Sequence, residues 1–333
     1  MISLTKSIER EKPIIPPNSP RKKAPLLLRI WAYARENYTL ALLALPAVVL
    51  VFCFSYLPTF GTVIAFEDYS PKTLFLSKWV WFDNFRLLWQ SPQILRLVRN
   101  TLELNIMFIT ATTFMAVLVA LLLNEVRSRP FKSVAQSLMF LPYFMGWTLV
   151  AMVMFGLIDY DSGTINALLV RVGLARINLT ENASYWPWIL TVIRIWKGTG
   201  NGCIIYLAVL VGVDPQLYEA AAIDGAGRLA RIRYISLPAL VPVVILLTLL
   251  AIGTIFYGDV GMIYTVVGNR PMLYPTTDVI DTYILRALRA NSNYGMTAAV
   301  GLSQSVLGFI CVYGSNLLAK RYSRSRGEDY SLF

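Results

Sequence analysis

Val213-Asp-Pro-Gln-Leu-Tyr-Glu219-Ala-Ala-Ala-Ile-Asp224-Gly225-Ala226-Gly-Arg-Leu-Ala-Arg-Ile-Arg-Tyr-Ile235-Ser-Leu237-Pro238 is a polar stretch set between two long apolar runs. Asp214 is a good N-cap residue, and Pro215 suits the first helical position because its missing N–H would be unpaired there anyway. Good helix formers follow to Ile223, including Glu219, Ala220, Ala221 and Ala222, and Gly225 supplies a C-terminal stop. A second helical run places Leu229, Ile232 and Ile235 on one stripe with Arg228, Arg231 and Arg233 beside it, and Pro238 marks entry into the next apolar run. The spacing predicts a short helix, a glycine elbow and a second helix. A helix whose exposed residues are this small can seat closely in a groove of another protein.

The flanking runs belong to a set of six, at about Leu40–Thr59, Asn100–Leu123, Val134–Ile158, Trp186–Gly212, Ala239–Gly258 and Thr297–Ala319. Each reaches the roughly 20 apolar residues that a bilayer crossing needs. The 333-residue composition agrees, with 56% hydrophobic and only 15% charged residues, against about 45–50% and 25% in soluble domains. The fold class read from this is an all-α integral membrane protein of six transmembrane helices, with residues 213–238 connecting the fourth and fifth. Residues 39–319 form the membrane domain, and 320–333 a C-terminal tail. Residues 1–38 form a polar N-terminal tail carrying Pro13, Pro16, Pro17, Pro20 and Pro25, which reads as disordered and unlike a cleaved signal.

Charge orients the spans. With the N-terminal tail inside, the tail, the connections 124–133 and 213–238 and the C-terminal tail hold 18 of the 30 Lys and Arg, whereas the three opposite loops hold 10. The positive-inside rule therefore places both termini in the cytoplasm. The net charge of +11 is an orientation signal beside anionic membrane lipid, and no nucleic-acid partner is read from it. The absence of histidine removes His-type zinc sites and Ser-His-Asp catalysis. No Gly-Lys dipeptide is present for a P-loop, and Glu103 is the sole acid within a span. The chain reads as a non-enzyme with no cofactor of its own. Cys53, Cys203 and Cys311 all lie in apolar runs and behave as small hydrophobes.

Two outer stretches carry pattern. Residues 278–290 place Val279, Ile280, Tyr283, Ile284, Ala287 and Leu288 at helical spacing, with Thr277 or Asp278 as N-cap. Residues 79–89 gather Trp79, Trp81, Phe82, Phe85 and Trp89 and read as a helix along the membrane interface. Within the fourth span, Arg194 and Lys197 are costly in lipid. They either snorkel to the outer interface beside Trp188 and Trp196 or face an aqueous cavity, where one meets a carboxylate on an acidic sugar. The run Gly198-Thr-Gly-Asn201-Gly202 reads either as a kink lining a cavity or as a close helix–helix contact. Asn201, Thr254, Tyr257, Ser303 and Gln304 are further candidates for a path through the membrane.

Glu219-Ala-Ala, Asp224-Gly-Ala and Ile235-Ser-Leu237-Pro238 resemble, at fixed spacing, the signature loop of permease subunits in bacterial binding-protein-dependent ABC importers. Nine such matches arise by chance on the order of 10⁻¹⁰ per start site at average residue usage. Leu123-Asn-Glu-Val-Arg127, Phe140-Leu-Pro-Tyr143, Ile205-Tyr-Leu-Ala208 and Asp214-Pro-Gln-Leu-Tyr-Glu219 are similar to the carbohydrate-uptake branch. Within it they are most similar to permeases for polysaccharide fragments such as alginate or pectin oligosaccharides. The resemblance implies the type I importer permease fold in the bacterial cytoplasmic membrane and oligosaccharide import by alternating access. The partners it implies are a second permease subunit in a heterodimer, an external solute-binding protein and two ATP-binding subunits that hold ATP and Mg. It further implies that Glu219, Ala220, Ala221, Asp224, Gly225 and Ala226 form the coupling helix and elbow seated in an ATP-binding subunit. An ion-gradient-driven secondary transporter is the alternative, and it would show matching broken helices in its two halves.

Overall fold

The computed structural model describes Arg35 and residues 37–72, 77–90, 92–291 and 293–326. Most of the expected N-terminal tail and residues 327–333 of the C-terminal one lie outside the described residues. Contacts divide the chain into two units, residues 1–60 and 61–333. In the first, helix α1 (Tyr38–Val51) carries Pro46 inside it and passes into a π turn at Phe52–Tyr56; no residue of α1 is buried. The helical stretch Tyr38–Phe66 is long and apolar enough to cross a membrane.

The second unit opens with a two-stranded antiparallel ribbon, β1 (Glu67–Asp68) on β2 (Lys78–Trp79). Helices α2 (Asp83–Gln90), α3 (Ile94–Glu125), α4 (Arg129–Phe140), α5 (Trp147–Ile158), α6 (Thr164–Arg171) and α7 (Trp186–Val211) follow. The remainder is α8 (Pro215–Ile223), α9 (Arg228–Arg231), α10 (Leu237–Gly253), α11 (Val260–Val266), α12 (Tyr274–Thr277), α13 (Ile280–Asn291) and α14 (Tyr294–Arg326). Four stretches, Tyr38–Phe66, Ile94–Glu125, Arg228–Gly253 and Tyr294–Arg321, are each long and apolar enough to span. Two bent pairs, Arg129–Phe144 with Trp147–Ile158 and Ala183–Val211 with Pro215–Ile223, bring the number among the described residues to as many as six when each pair is counted as one span.

Several boundaries depart from the sequence reading, each for a local reason. The third span is not one helix: it bends by 102° between Phe144 and Trp147. Pro142 lacks an N–H, the chain tightens into a 3₁₀ turn at Leu141–Phe144, and Gly146 is extended at ψ 150°. The fifth span starts at Arg228, ten residues before Pro238, because α9 runs through a π turn at Ile232–Ser236 straight into α10. Its other end is Gly253 rather than Gly258, where the Thr254 hydroxyl turns back onto the Ala251 carbonyl. Residues 79–82 are not helical. Trp79 sits in β2, and Trp81 takes a positive φ of 52° while the Val80 and Trp81 amides both donate to the Phe66 carbonyl. The C-terminal tail expected from 320 stays helical to Arg326.

Three buried apolar clusters hold this unit together. One joins Leu104 and Phe108 of α3 to Trp186 and Leu190 of α7 and to Met262, Val266 and Leu273. A second packs Ala116 and Ala120 against Cys203, Leu207, Leu210 and Leu240. The third joins Leu97 to Phe256, Ile280 and Val300. The most extensive pairing is α3 with α7, and its fit explains the glycine run. Helix α7 passes unbroken through residues 198–202. A Cβ on Gly198 would lie 3.9 Å from the Thr112 side chain and one on Gly202 3.0 Å from the Ala116 Cβ, so the two helices run in the same direction with small residues flush. Gly200 faces the other neighbour, where a Cβ would lie 2.8 Å from the Phe140 nitrogen and would collide with the Met139 carbonyl. The run is therefore a close contact on two sides, not a kink.

Gly200→Ala is expected to destabilise the protein by about 1–3 kcal/mol through overpacking against α4 backbone. Gly301→Ala, in a helical position with open space around it, is expected to be neutral or stabilising by up to about 1 kcal/mol. Thermal unfolding of the two variants in the same detergent checks the contrast.

Candidate functional site

The loop after α7 folds as its sequence predicts. The chain turns by 71° from α7 into α8, the Asp214 side chain accepts the Gln216 amide at 2.9 Å, and Pro215 opens the helix. At its far end Gly225 adopts φ +80°. The Ala226 amide then reaches the Ala221 carbonyl at 2.8 Å and the Gly225 amide the Ala222 carbonyl at 3.2 Å, the two bonds of a Schellman stop. A side chain with a Cβ is disfavoured at that φ, which is why the elbow needs glycine. Asp224 is the C-cap residue.

No residue of α8 is buried. Glu219 and Ala220 are exposed, Ala221 and Ala226 half-buried. Apolar side chains protrude around them: Ile223 is 87% exposed, Leu229 79% and Leu217 54%. On the opposite flank Glu219 lines a cleft of about 390 Å³ with Glu125, Arg127, Arg228 and Arg231. Tyr218 provides the link that sequence reasoning missed, its hydroxyl lying 3.0 Å from that of the fully buried Ser236 in the π turn. That bond fastens α8 to the base of the helix leading into α10.

Two cavities lie among α3, α7 and α10. The first, about 280 Å³, is lined by Tyr143, Trp147, Arg194, Lys197, Asn201 and Tyr206 among others. The second, about 370 Å³, is lined by Asn105, Arg194, Thr254, Tyr257 and Asp259 among others. Thr112, Thr113 and Arg194 line both. The structure thus brings Arg194, Lys197, Asn201, Thr254 and Tyr257 to one set of cavities. Ser303 and Gln304 do not line them. The Ser303 hydroxyl donates to the Ala299 carbonyl one turn back, and the buried Gln304 amide donates to the Phe256 carbonyl at 2.8 Å and to Asp281 at 3.0 Å. Their polarity is spent on packing. Asp281 also accepts the Gly258 amide, and burial pushes its carboxyl above the ordinary range despite these donors.

Lys197 has a specific task. Its ammonium donates to the carbonyls of Pro142 at 3.2 Å, Tyr143 at 2.7 Å and Met145 at 2.6 Å, the groups exposed by the break in the third span. The Tyr143 and Trp147 rings lie 5.7 and 5.1 Å from it. Arg194, one turn away, pairs with Asp259 at 2.5 Å, and the other Asp259 oxygen accepts the Met262 amide at 2.9 Å. Asp259 is not a residue that the sequence singles out. The signal available for it was the pair of basic residues in an apolar span, which require an anion. Lys197→Met is expected to take the donor from the Tyr143 and Met145 carbonyls, the Pro142 carbonyl keeping the Met145 amide, and to lower stability by about 2–5 kcal/mol, whereas Asn201→Ala, which removes no bond of this kind, is expected to stay within about 1 kcal/mol. Unfolding of both variants in detergent tests this.

Comparison with known proteins places the chain in a family. Residues 109–324 match the family described as the binding-protein-dependent transport system inner membrane component. Protein LplB of Bacillus subtilis (strain 168) is 36% identical over 296 residues, 88% of this chain and 92% of that one. The polygalacturonan/rhamnogalacturonan transport system permease protein YteP of the same organism is 36% identical over 304 residues, 90% and 92% of the two chains. Among solved structures, a chain of a bacterial ABC transporter involved in the import of the acidic polysaccharide alginate superposes with a TM-score of 0.79 at 31% identity, covering 88% of this chain and 99% of its own. A chain of the bacterial alginate ABC transporter in complex with an alginate pentasaccharide-bound periplasmic protein gives 0.79 at 30% identity, covering 89% and 98%. By this family match over most of the chain and by these relatives, the chain belongs to the binding-protein-dependent transport system inner membrane components, the multi-pass permeases of ABC transporters.

Proposed function

We propose that this chain is one of two permease subunits of an ATP-driven importer that moves oligosaccharides across the cytoplasmic membrane by alternating access. The observation that carries the proposal is α8: a capped helix with no buried residue and with protruding Ile223 and Leu217, fastened through Tyr218 to the base of a membrane-spanning helix. Such a helix has every attribute of a docking element and none of a core element. Relatives named for polygalacturonan/rhamnogalacturonan transport and for alginate import support a carbohydrate cargo. The cavities lined by threonine, asparagine, tyrosine and tryptophan offer amide, hydroxyl and aromatic surfaces suited to sugars.

In this reading the 213–238 connection faces the cytoplasm, both termini lie on the same side, and the excess of basic residues there is the orienting charge. A second, different permease completes the membrane unit, an external solute-binding protein delivers the sugar, and two ATP-binding subunits hold ATP and Mg and perform the hydrolysis. Glu219, Ala220 and Ala221 form the docking surface, while Asp224, Gly225 and Ala226 form the elbow that keeps its angle.

Gly225→Val places a β-branched residue at φ +80° and is expected to leave the protein in the membrane while ATP hydrolysis proceeds without uptake. Full uptake by that variant would contradict the coupling role. Ile223→Asp puts a charge on a side chain that is 87% exposed. The permease pair is expected to purify normally while the ATP-binding subunits are lost from it, which subunit stoichiometry on a gel reads directly.

A further inference from the structure

Arg194 is the only charged side chain that lines both cavities among the described residues. Lys197, one turn along, is committed: an ammonium has three donors, and three carbonyls take them. Arg194 is not. A guanidinium has five donors, and among the described residues the bond to Asp259 is the one that the Arg194 head group makes. Its side chain is 39% exposed and that of Asp259 28%, both open to the cavities.

We propose that Arg194 is the recognition site for a carboxylate of an acidic oligosaccharide, and that Asp259 occupies this site as an internal surrogate until a sugar carboxylate exchanges with it. The inference deepens the oligosaccharide-importer reading and rests on it. Exchange replaces one arginine–carboxylate contact by another, and the flat guanidinium edge can hold the incoming group through two parallel bonds. Asp259 keeps its bond to the Met262 amide when it lets go, and it already faces the second cavity. A neutral sugar has no group that can take its place. To reach Arg194 it must separate a partly buried ion pair and leave each charge uncompensated. The pair thus rejects neutral cargo while admitting acidic cargo, a selection made by an unfavourable alternative as much as by a favourable contact. Charge balance points the same way. Arg194 and Lys197 against Asp259 leave the lining one positive charge in excess, which a single sugar carboxylate neutralises.

The test uses the assembled complex of both permeases and the ATP-binding subunits, without the solute-binding protein, so that selectivity belongs to the membrane chains. Equilibrium dialysis compares a galacturonic-acid trisaccharide with a neutral galactose trisaccharide of the same linkage. The expected result is binding of the acidic sugar at least about tenfold tighter in the wild type. Asp259→Asn, which keeps a cap for Met262, is expected to tighten acidic binding a further tenfold or so, since its charge no longer competes, while a neutral sugar, with no ion pair left to separate, binds no more weakly than before. The double variant Arg194→Gln/Asp259→Asn, which leaves no charge unpaired, is expected to bind both sugars alike. Unchanged acidic affinity in Asp259→Asn, or a preference retained in the double variant, overturns the inference alone when the full system with its binding protein still takes up the sugars. Uptake of neither sugar by that full system overturns the importer reading and this inference with it.

Discussion

A helix that stops inside a bilayer leaves carbonyls that hydrocarbon cannot satisfy, so every break must be met by donors from the protein itself. Two helices end this way here, one at the bend of the third span and one where α10 stops, and both ends are answered from the central α3–α7 pair. Lys197 of α7 gathers the carbonyls of Pro142, Tyr143 and Met145 at the bend of the third span. Asn105 of α3 reaches the carbonyls of Ile255 and Tyr257, where α10 has ended. Irregular backbone is tolerated in membranes where it borders a cavity or is buried in protein, and these two breaks border the two cavities. The donors that hold the breaks open are therefore also what keeps the cavities in place.

The central pair can serve both sides because its own contact is so thin. Gly198 and Gly202 set against Thr112 and Ala116 let the two backbones approach, and Gly200 admits the backbone of the third span on the far side. Larger residues would move Lys197 away from the carbonyls it caps. Close packing and polar satisfaction are one requirement here, met by glycine at three positions of one helix, by Lys197 beside them and by Asn105 on the facing helix.

How much of this was legible in the sequence follows from how local each determinant is. The α8 helix and its elbow depend on Asp214, Pro215 and Gly225 alone, and they formed where their residue types predict. The six apolar runs were visible because a span is a property of about twenty neighbours. Their ends were not, since Arg96 and Arg99 at the start of α3 and Arg228 and Arg231 at the start of the fifth span continue helices that hydropathy cuts short. The bend at Met145–Gly146 was hidden because residues on both sides of it are equally apolar. For the cavities, Arg194 and Lys197 stood out as charges in an apolar run, but the partners that define their roles lie more than fifty residues away in either direction, at Pro142–Met145 and at Asp259. Ser303 and Gln304 look like path residues by type, yet Ser303 turns onto the Ala299 carbonyl of its own helix, and the Gln304 partners, at Phe256 and Asp281, are decided by tertiary packing.

The uninterrupted course from Arg228 to Gly253 makes this stretch a lever. Its 26 residues extend about 39 Å at 1.5 Å per residue, with the Tyr218–Ser236 bond near one end and Thr254 at the tip by the second cavity. Rotating such a rod by only about 5° about its base carries the tip through about 3 Å, roughly the diameter of a water molecule. The π turn at Ile232–Ser236 and the ring of Pro242 are the compliant joints. A displacement small enough to leave every bond of α8 intact would still widen or narrow the opening beside Thr254 and Tyr257 by the width of a sugar hydroxyl.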